Sequence, residues 1–506
     1  ENITKLTLYG KPERGSWEKL SELNPKALNP VTTRLKKNKR LRYLKLTYEL
    51  NNKPYSKAFL WEIKTYDKSG PFGDFPTFHQ PQQTLKESFG INGFWGWGSQ
   101  KHADKIATDK APFIFTDITK NLRYYHNMDW DVAAPDIKPD YKNMNSGSLN
   151  QNWLNWNREY IPLRKNGFDI IASIQFSNVF SDSSWKTPYK SAFQYGQAFA
   201  QYFGKFGNNT VKEIEIGNEP WGYSIKIYRE ILQGMANGIK SSDPSMKIFS
   251  CALDVAIDQP ELNNNITNRL TQTELNLIDG INTHIYPYAY NKEGERYATF
   301  PEHPESGLRR ILGIINYRDK YLAGKPIYLT EYGWDCSTKE SDCSHNECVS
   351  EDAQAVYAVR SLLMLYRLGI EKMYWFFFAD EDKSSFQFTR SGLLTSPKHE
   401  MKKKRSFFAL QQLMQFAGDA TLTKIISEND QAWIYLFTDN TGEKFIIAWV
   451  PLNHNNFKKE TITLDKKYKV KAAYYLNGYR NNKINLPIRL NNNFKISPTP
   501  TIFVIN

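Results

Sequence analysis

The stretch Val211-Lys212-Glu213-Ile214-Glu215-Ile216-Gly217-Asn218-Glu219-Pro220-Trp221 decides the fold. Residues 211–217 read as a short buried strand, and Asn218-Glu219-Pro220 as the start of the loop that follows. A helical pattern precedes this strand at 189–206 and another follows at 225–239. The same alternation continues outward in both directions. Further strand patterns fall at 91–97, 122–128, 169–176, 247–253, 280–286, 326–330 and 371–378. Further helical patterns fall at 153–165, 272–278, 307–322, 351–368 and 402–416. Eight strands alternating with helices over residues 89–416 predict an α/β fold, a (β/α)8 TIM barrel. The rival is a doubly wound open sheet, but the glycine fingerprint of its nucleotide-binding members is missing from the sequence.

The flanks read differently. In residues 1–88, Leu44, Leu46, Tyr48 and Leu50 alternate with polar neighbours, the pattern of a half-buried strand, and 58–63 reads as another. In residues 417–506, short strand patterns at 432–437, 444–450, 460–464, 469–476 and 501–505 are separated by Asn and Gly clusters, which predicts a flanking β-sandwich. The amino-terminal strands either complete that sandwich or form a second β domain.

The chain of 506 residues is too long for one ordinary domain. Its net charge of +13 invites a polyanion partner. The excess is not in the middle, however. Residues 1–88 carry 17 Lys+Arg against 9 Asp+Glu, residues 417–506 carry 12 against 7, and residues 89–416 carry 37 against 37. The basic run at 34–42 reads as a solvated edge, and no nucleic-acid module is visible. No apolar run reaches the roughly 18 residues that would span a bilayer. The chain begins at Glu1 rather than Met, as it would after removal of an export signal, although a trimmed chain begins the same way. The expectation is a secreted, periplasmic or cell-surface protein. Cys336, Cys343 and Cys348 lie close together, so a disulfide pinning that loop is expected, with the pair undetermined. Cys251 reads as a buried free thiol. The 8 histidines show no close ligand spacing, so neither a metal nor a cofactor is expected.

Glu219 follows the fourth strand pattern. Glu331, in Ile327-Tyr328-Leu329-Thr330-Glu331-Tyr332-Gly333-Trp334, follows the seventh. Barrel active sites lie at the carboxyl ends of the strands, so both side chains should face one rim. Two carboxylates presented this way suggest the acid/base and nucleophile of a glycosidase.

On those two motifs, the middle of the chain resembles the large clan of retaining glycoside hydrolases built on the (β/α)8 barrel. Asn218-Glu219-Pro220 matches the clan's acid/base motif, and Thr330-Glu331-Tyr332-Gly333-Trp334 matches its nucleophile segment. The resemblance implies Glu331 as nucleophile and Glu219 as acid/base. It implies that Asn218 binds the sugar 2-hydroxyl and that Arg123 orients the nucleophile. It places His284 and Tyr286 near the nucleophile and Trp375 as the floor of the central subsite. Trp95, Trp97 and Trp221 are sugar-stacking candidates. His126, with Asp129 and Asp131, is a candidate substrate contact. The layout is similar to polysaccharide-degrading members such as β-agarases and β-porphyranases, which makes an endo-acting enzyme on a sulfated algal galactan the first expectation. A neutral β-glucan or xylan substrate is the alternative. A non-catalytic carbohydrate-binding protein and a transglycosylase are the rivals. In each case the partner is a polysaccharide or oligosaccharide.

Overall fold

The structure is a computed structural model. It describes residues 3–11, 16–23, 43–50, 75–93, 112–144, 154–177, 179–219, 224–253, 270–291, 293–338, 343, 346–382, 388–456, 458–485 and 492–506. The chain divides into two units, Glu1–Asp74 and Phe75–Asn506. In the first, strands Ile3–Lys11, Glu18–Leu23 and Tyr43–Leu50 form an antiparallel sheet with Ile3–Lys11 in the centre. The strand expected at 58–63 and the basic run at 34–42 lie outside the described residues.

The second unit contains the expected barrel. Its strands are β1 (Phe89–Asn92), β2 (Asn121–Asn127), β3 (Asp169–Gln175), β4 (Glu213–Ile216), β5 (Lys247–Ser250), β6 (Ile281–His284), β7 (Ile327–Tyr332) and β8 (Lys372–Trp375). All neighbours pair in parallel, with β8 beside β1. A bridge between Phe249 and Gly280 closes the ring between β5 and β6. Alternation along each strand sends one set of side chains inward and the other toward the helices. Ile171, Phe249, Tyr328 and Tyr374 pack together as an apolar plug inside the barrel. Two glycines make room for these rings: a Cβ on Gly90 would lie 2.4 Å from the Tyr374 ring, and one on Gly280 2.4 Å from Phe249. Beneath the plug, Glu213 accepts from Tyr328 Oη at 2.9 Å and from Lys372 Nζ at 2.8 Å. The floor of the barrel beneath the plug is therefore filled by side chains.

The helix Glu351–Arg367 is buried on every side from Ala353 onward. The barrel covers one side and the carboxy-terminal β domain the other. That domain has a five-stranded antiparallel sheet ordered Ala420–Glu428, Trp433–Asp439, Lys444–Trp449, Thr501–Ile505, Val470–Tyr475. A two-stranded sheet, Glu460–Thr463 with Asn493–Ile496, shares its core through Ile462, Phe494 and Ile496 against Ile446, Ala448 and Phe503. This is the expected sandwich. Strands Ala420–Glu428 and Asn493–Ile496 were not expected from the sequence: Lys424 and the adjacent Ile425 and Ile426 break the alternation of the first, and the second is only four residues long.

Two loops at the barrel mouth carry extra structure. After β6, Tyr288–Tyr290 pairs with Arg296–Ala298 in a hairpin. After β7, Asp335–Ser337 pairs with Cys348–Ser350, and a disulfide joins Cys343 to Cys348. The two loops brace each other through Arg296 and Glu347, 2.6 Å apart. Cys251 and Cys336 are free and buried.

Candidate active site

Each strand contributes inward residues at successive heights, and a polar layer sits directly above the plug. Arg123 on β2 is its centre and is fully buried. Its Nε donates to Glu215 Oε2 at 2.7 Å, one terminal nitrogen to Glu331 Oε1 at 2.8 Å, and the other to Asn218 Oδ1 at 2.7 Å. Asn282 holds the other oxygen of Glu215, donating to Oε1 at 2.5 Å. Burial alone would favour loss of the guanidinium charge, but Glu215, Tyr125 and Glu331 around it outweigh that and raise its pKa. One buried cation thus faces two buried carboxylates, and further hydrogen bonds satisfy the group.

Glu331 lies within β7, opposite His284 of β6, rather than in the loop beyond the strand as expected. Its Oε1 accepts from Arg123 and from Tyr125 Oη at 2.6 Å, and its Oε2 accepts from Tyr286 Oη at 3.0 Å. Burial first, and then the Glu331 charge, push the Tyr125 and Tyr286 phenols well above their ordinary pKa, so both remain donors. Every donor on Glu331 is fixed by a strand or strand end, which leaves the carboxylate one orientation. Glu219, three residues past β4, is more exposed, with 38% of its side chain accessible. It lies beside His284, whose Nδ1 is 3.0 Å from Glu219 Oε1 and 3.5 Å from Glu331 Oε2. The facing oxygens of the two glutamates are within 4.8 Å of each other.

Burial favours the neutral form of His284, but the Glu331 charge and the hydrogen bond to Glu219 outweigh it, and its pKa is raised. Protonation therefore stabilises the folded state. The contribution is full below the ordinary imidazole pKa of about 6.5 and is lost as pH rises through the raised value. The melting-temperature advantage of wild type over His284→Asn should accordingly be largest on the acid side and shrink above neutrality. An advantage that grew with pH would mean that the imidazole is held neutral.

Glu219, His284 and Glu331 also make the one convergent ligand set found among the described residues. The set suits a cation poorly. The Arg123 guanidinium already donates to Glu331 Oε1 at 2.8 Å and would repel the ion.

Asn218, Arg123, His284 and Tyr286 thus gather around the two glutamates. Two candidates lie elsewhere. His126 points outward from β2, is fully buried, and stacks on Trp156 at 3.7 Å. Its Nε2 is 2.6 Å from Asp131 Oδ2, an oxygen that also accepts from Tyr141 and Tyr195. His126 and Asp131 therefore belong to a closed polar core behind the barrel wall. Trp375 is also outward and fully buried, stacked on Trp334 at 5.9 Å with its indole donating to Ser391 O at 2.8 Å. The next residue, Phe376, takes the pocket side, 6.3 Å from the Tyr286 ring. Alternation carries the signal here, since Tyr374 and Phe376 share a face that Trp375 does not. Trp95, Trp97 and Trp221 lie outside the described residues.

The sequence reading missed Tyr125, Glu215 and Asn282. All three sit on strands at even spacing from recognised residues, so strand parity could have found them. It also missed Phe388, whose ring lies 4.1 Å from Tyr286. Its backbone is left-handed, with φ of 69°, and Asp335 Oδ2 accepts from its amide at 2.7 Å. Nothing in the local sequence announces that contact.

The fold and the mouth geometry together define a class: a (β/α)8 barrel with a carboxy-terminal β-sandwich and two facing carboxylates over a buried arginine. No family model matches the chain, and no curated protein matches it in sequence. Solved structures do match in fold. A family 39 glycoside hydrolase from the gut symbiont Bacteroides cellulosilyticus WH2 aligns over 100% of this chain and 95% of its own, with TM-score 0.58 and 14% identity. A glucosidase from Croceicoccus marinus covers 84% and 97%, with TM-score 0.55 and 12% identity. The catalytic domain of GH30 xylanase C from Talaromyces cellulolyticus covers 85% and 98%, with TM-score 0.51 and 16% identity. At these identities the likeness is one of fold.

Proposed function

We propose that the protein is a retaining glycoside hydrolase. The observation that carries this is the pair itself: Glu331 clamped by Arg123, Tyr125 and Tyr286, with Glu219 facing it within 4.8 Å. Retention calls for carboxyl groups about 5–5.5 Å apart, whereas inversion needs about 6.5–9.5 Å to admit a water. The close approach favours the first.

In the first step Glu331 Oε2, which accepts from Tyr286, attacks the anomeric carbon. The glycosidic C–O bond breaks, and protonated Glu219 gives its proton to the leaving oxygen. In the second step Glu219, now a carboxylate, takes a proton from water. That water attacks the anomeric carbon, and the ester bond to Glu331 breaks. While Glu331 is esterified it carries no charge, which favours the carboxylate form of Glu219 when a base is needed. Asn218, held by Arg123, is positioned for the 2-hydroxyl. The fold relatives described as a glucosidase and a xylanase support a glycan substrate.

The substrate is best read as a neutral β-linked polysaccharide. Among the described residues the mouth presents the carboxyl groups of Glu219 and Glu331, and its Arg123 is already committed to Glu215 and Glu331, which favours an uncharged glycan over a sulfated one. The disulfide between Cys343 and Cys348 supports an oxidising, extracytoplasmic setting. No helix among the described residues is long and apolar enough to cross a membrane.

Reducing-sugar release across xylan, laminarin, mannan, agar, porphyran and carrageenans tests this, with Glu331→Gln as control. The expected result is release from a neutral glycan, with proton NMR showing the β-anomer first. Initial release of the α-anomer would reject the retaining step, and release from porphyran or carrageenan alone would reject the neutral substrate.

A further inference from the structure

Above the Arg123 layer, the inner wall of the barrel carries polar groups that the mechanism does not use. Asn127 ends β2 and Gln175 ends β3, and the two are direct register partners. Parity places both on the inner face. Arg123 and Tyr125, four and two residues before Asn127, reach Glu331. Ser173, two before Gln175, contacts Arg123 at 3.2 Å, and Ile171, four before it, is in the interior plug. Asn127 and Gln175 therefore stand side by side at the mouth, one step above Tyr125 and Ser173.

Neither amide is satisfied by the protein. Asn127 Oδ1 and Gln175 Nε2 are shielded from solvent yet have no hydrogen-bond partner, and the Gln175 residue is only 8% exposed. Asp129, two residues beyond Asn127, has a buried Oδ1 in the same state. Folded proteins satisfy nearly all such atoms, because a buried unpaired polar group costs about 1–3 kcal/mol. Other such atoms occur among the described residues, including Asn282 Oδ1 in the Arg123 layer, but Asn127 and Gln175 bring two of them together on adjacent strands. Two neighbouring amides at the mouth, each with an unpaired atom, are the arrangement of a site that completes its hydrogen bonds with a ligand.

We propose that Asn127 and Gln175 form a hydroxyl-reading subsite for the sugar ring held over Glu331, and that this ring is unsulfated. The proposal rests on the glycosidase reading and names its recognition element. Each amide offers both a donor and an acceptor, the complement of a hydroxyl, which also does both. Two amides on adjacent strands match two neighbouring hydroxyls of one ring. A sulfate ester accepts but does not donate, so it would leave a buried acceptor unpaired. It would also sit one step above the layer that holds the Glu331 carboxylate. Neutral sugars with free vicinal hydroxyls fit, and a ring sulfated at those positions does not.

The test uses the near-isosteric changes Gln175→Met and Asn127→Leu in the full chain, with two readouts. Thermal melting comes first. If these amides await a ligand, replacing them with apolar groups leaves the melting temperature unchanged or raises it; a structural amide would lower it. Ligand-observed NMR comes second, with D-xylose, D-glucose, D-galactose and galactose 3-sulfate, whose sulfate blocks a vicinal pair, as probes. Wild type should hold at least one neutral sugar, and each variant should weaken it about tenfold, as loss of one hydrogen bond implies. Lowered melting temperatures in both variants, unchanged sugar binding, no neutral sugar bound by wild type, or tighter binding of the sulfated probe would each overturn the proposal. Glu331→Gln separates this from the enzymatic reading. It should keep sugar binding and lose turnover, and retained turnover would reject the glycosidase while leaving the amide result to stand alone.

Discussion

Glu331→Ala should lower turnover on the best glycan substrate by on the order of 10^4–10^6-fold, the usual scale for loss of a covalent nucleophile. Azide should restore part of that rate. The truncation opens space directly beneath the anomeric carbon, lined by Arg123 and by the Tyr125 and Tyr286 hydroxyls that had held the carboxylate. An anion fits there, attacks from the Glu331 side, and leaves a glycosyl azide of inverted configuration. Glu219→Ala should behave differently. Its azide product should retain configuration, because the glycosyl-enzyme still forms on Glu331 and azide enters from the opposite side. The Glu331 variant should also fold, since Arg123 keeps Glu215 as counter-charge at 2.7 Å. A Glu331→Ala protein that kept more than a hundredth of wild-type turnover, or the two variants yielding the same azide anomer, would remove the assignment.

The legibility of this chain in its sequence follows from periodicity. Eight apolar runs separated by helical patterns specify a parallel sheet covered on both faces, and the absence of a nucleotide-binding glycine fingerprint tips the choice from an open sheet to a closed barrel. That Glu219 and Glu331 meet was legible because the carboxyl ends of barrel strands share one rim. The misplaced candidates share one cause: they were judged by residue type before face. His126 is a histidine next to functional residues, but it occupies the odd position between Arg123's face and the helices, where Asp131 and Tyr160 satisfy it. Trp375 is an aromatic at the right strand, one residue off the inward face. Asn127 and Gln175 share the inward face with recognised residues but are unremarkable in type, and only their unmatched hydrogen-bonding atoms single them out. That information is three-dimensional. Phe388 illustrates the other limit, since a contact made by a loop with a left-handed residue leaves no periodic trace.

The largest stability effect is expected away from the site, where barrel and sandwich meet. Arg360, on helix Glu351–Arg367, is completely buried. Its Nε donates to Glu302 Oε1 at 2.9 Å, a terminal nitrogen pairs with Glu302 Oε2, and another donates to Leu452 O at 2.7 Å in the sandwich. Trp449, on a sandwich strand, donates its indole to the same Glu302 Oε1 at 2.7 Å. Glu302 lies on the loop that runs from the hairpin after β6, so a barrel-mouth loop, a barrel helix and the sandwich are tied at one buried carboxylate. Arg360→Ala removes the cation and leaves Glu302 charged, desolvated and supported by the indole alone. Breaking a buried pair from one side costs about 3–5 kcal/mol. The expected result is a melting temperature lower by several degrees, with the barrel and sandwich transitions separating in calorimetry. Removing both charges together, as Arg360→Met with Glu302→Leu, should recover most of the loss, because the main penalty is the orphaned carboxylate rather than the missing attraction. If the double variant melted as low as Arg360→Ala, the junction would depend on the hydrogen bonds to Leu452 and Trp449 themselves, and the ion pair would be incidental to it.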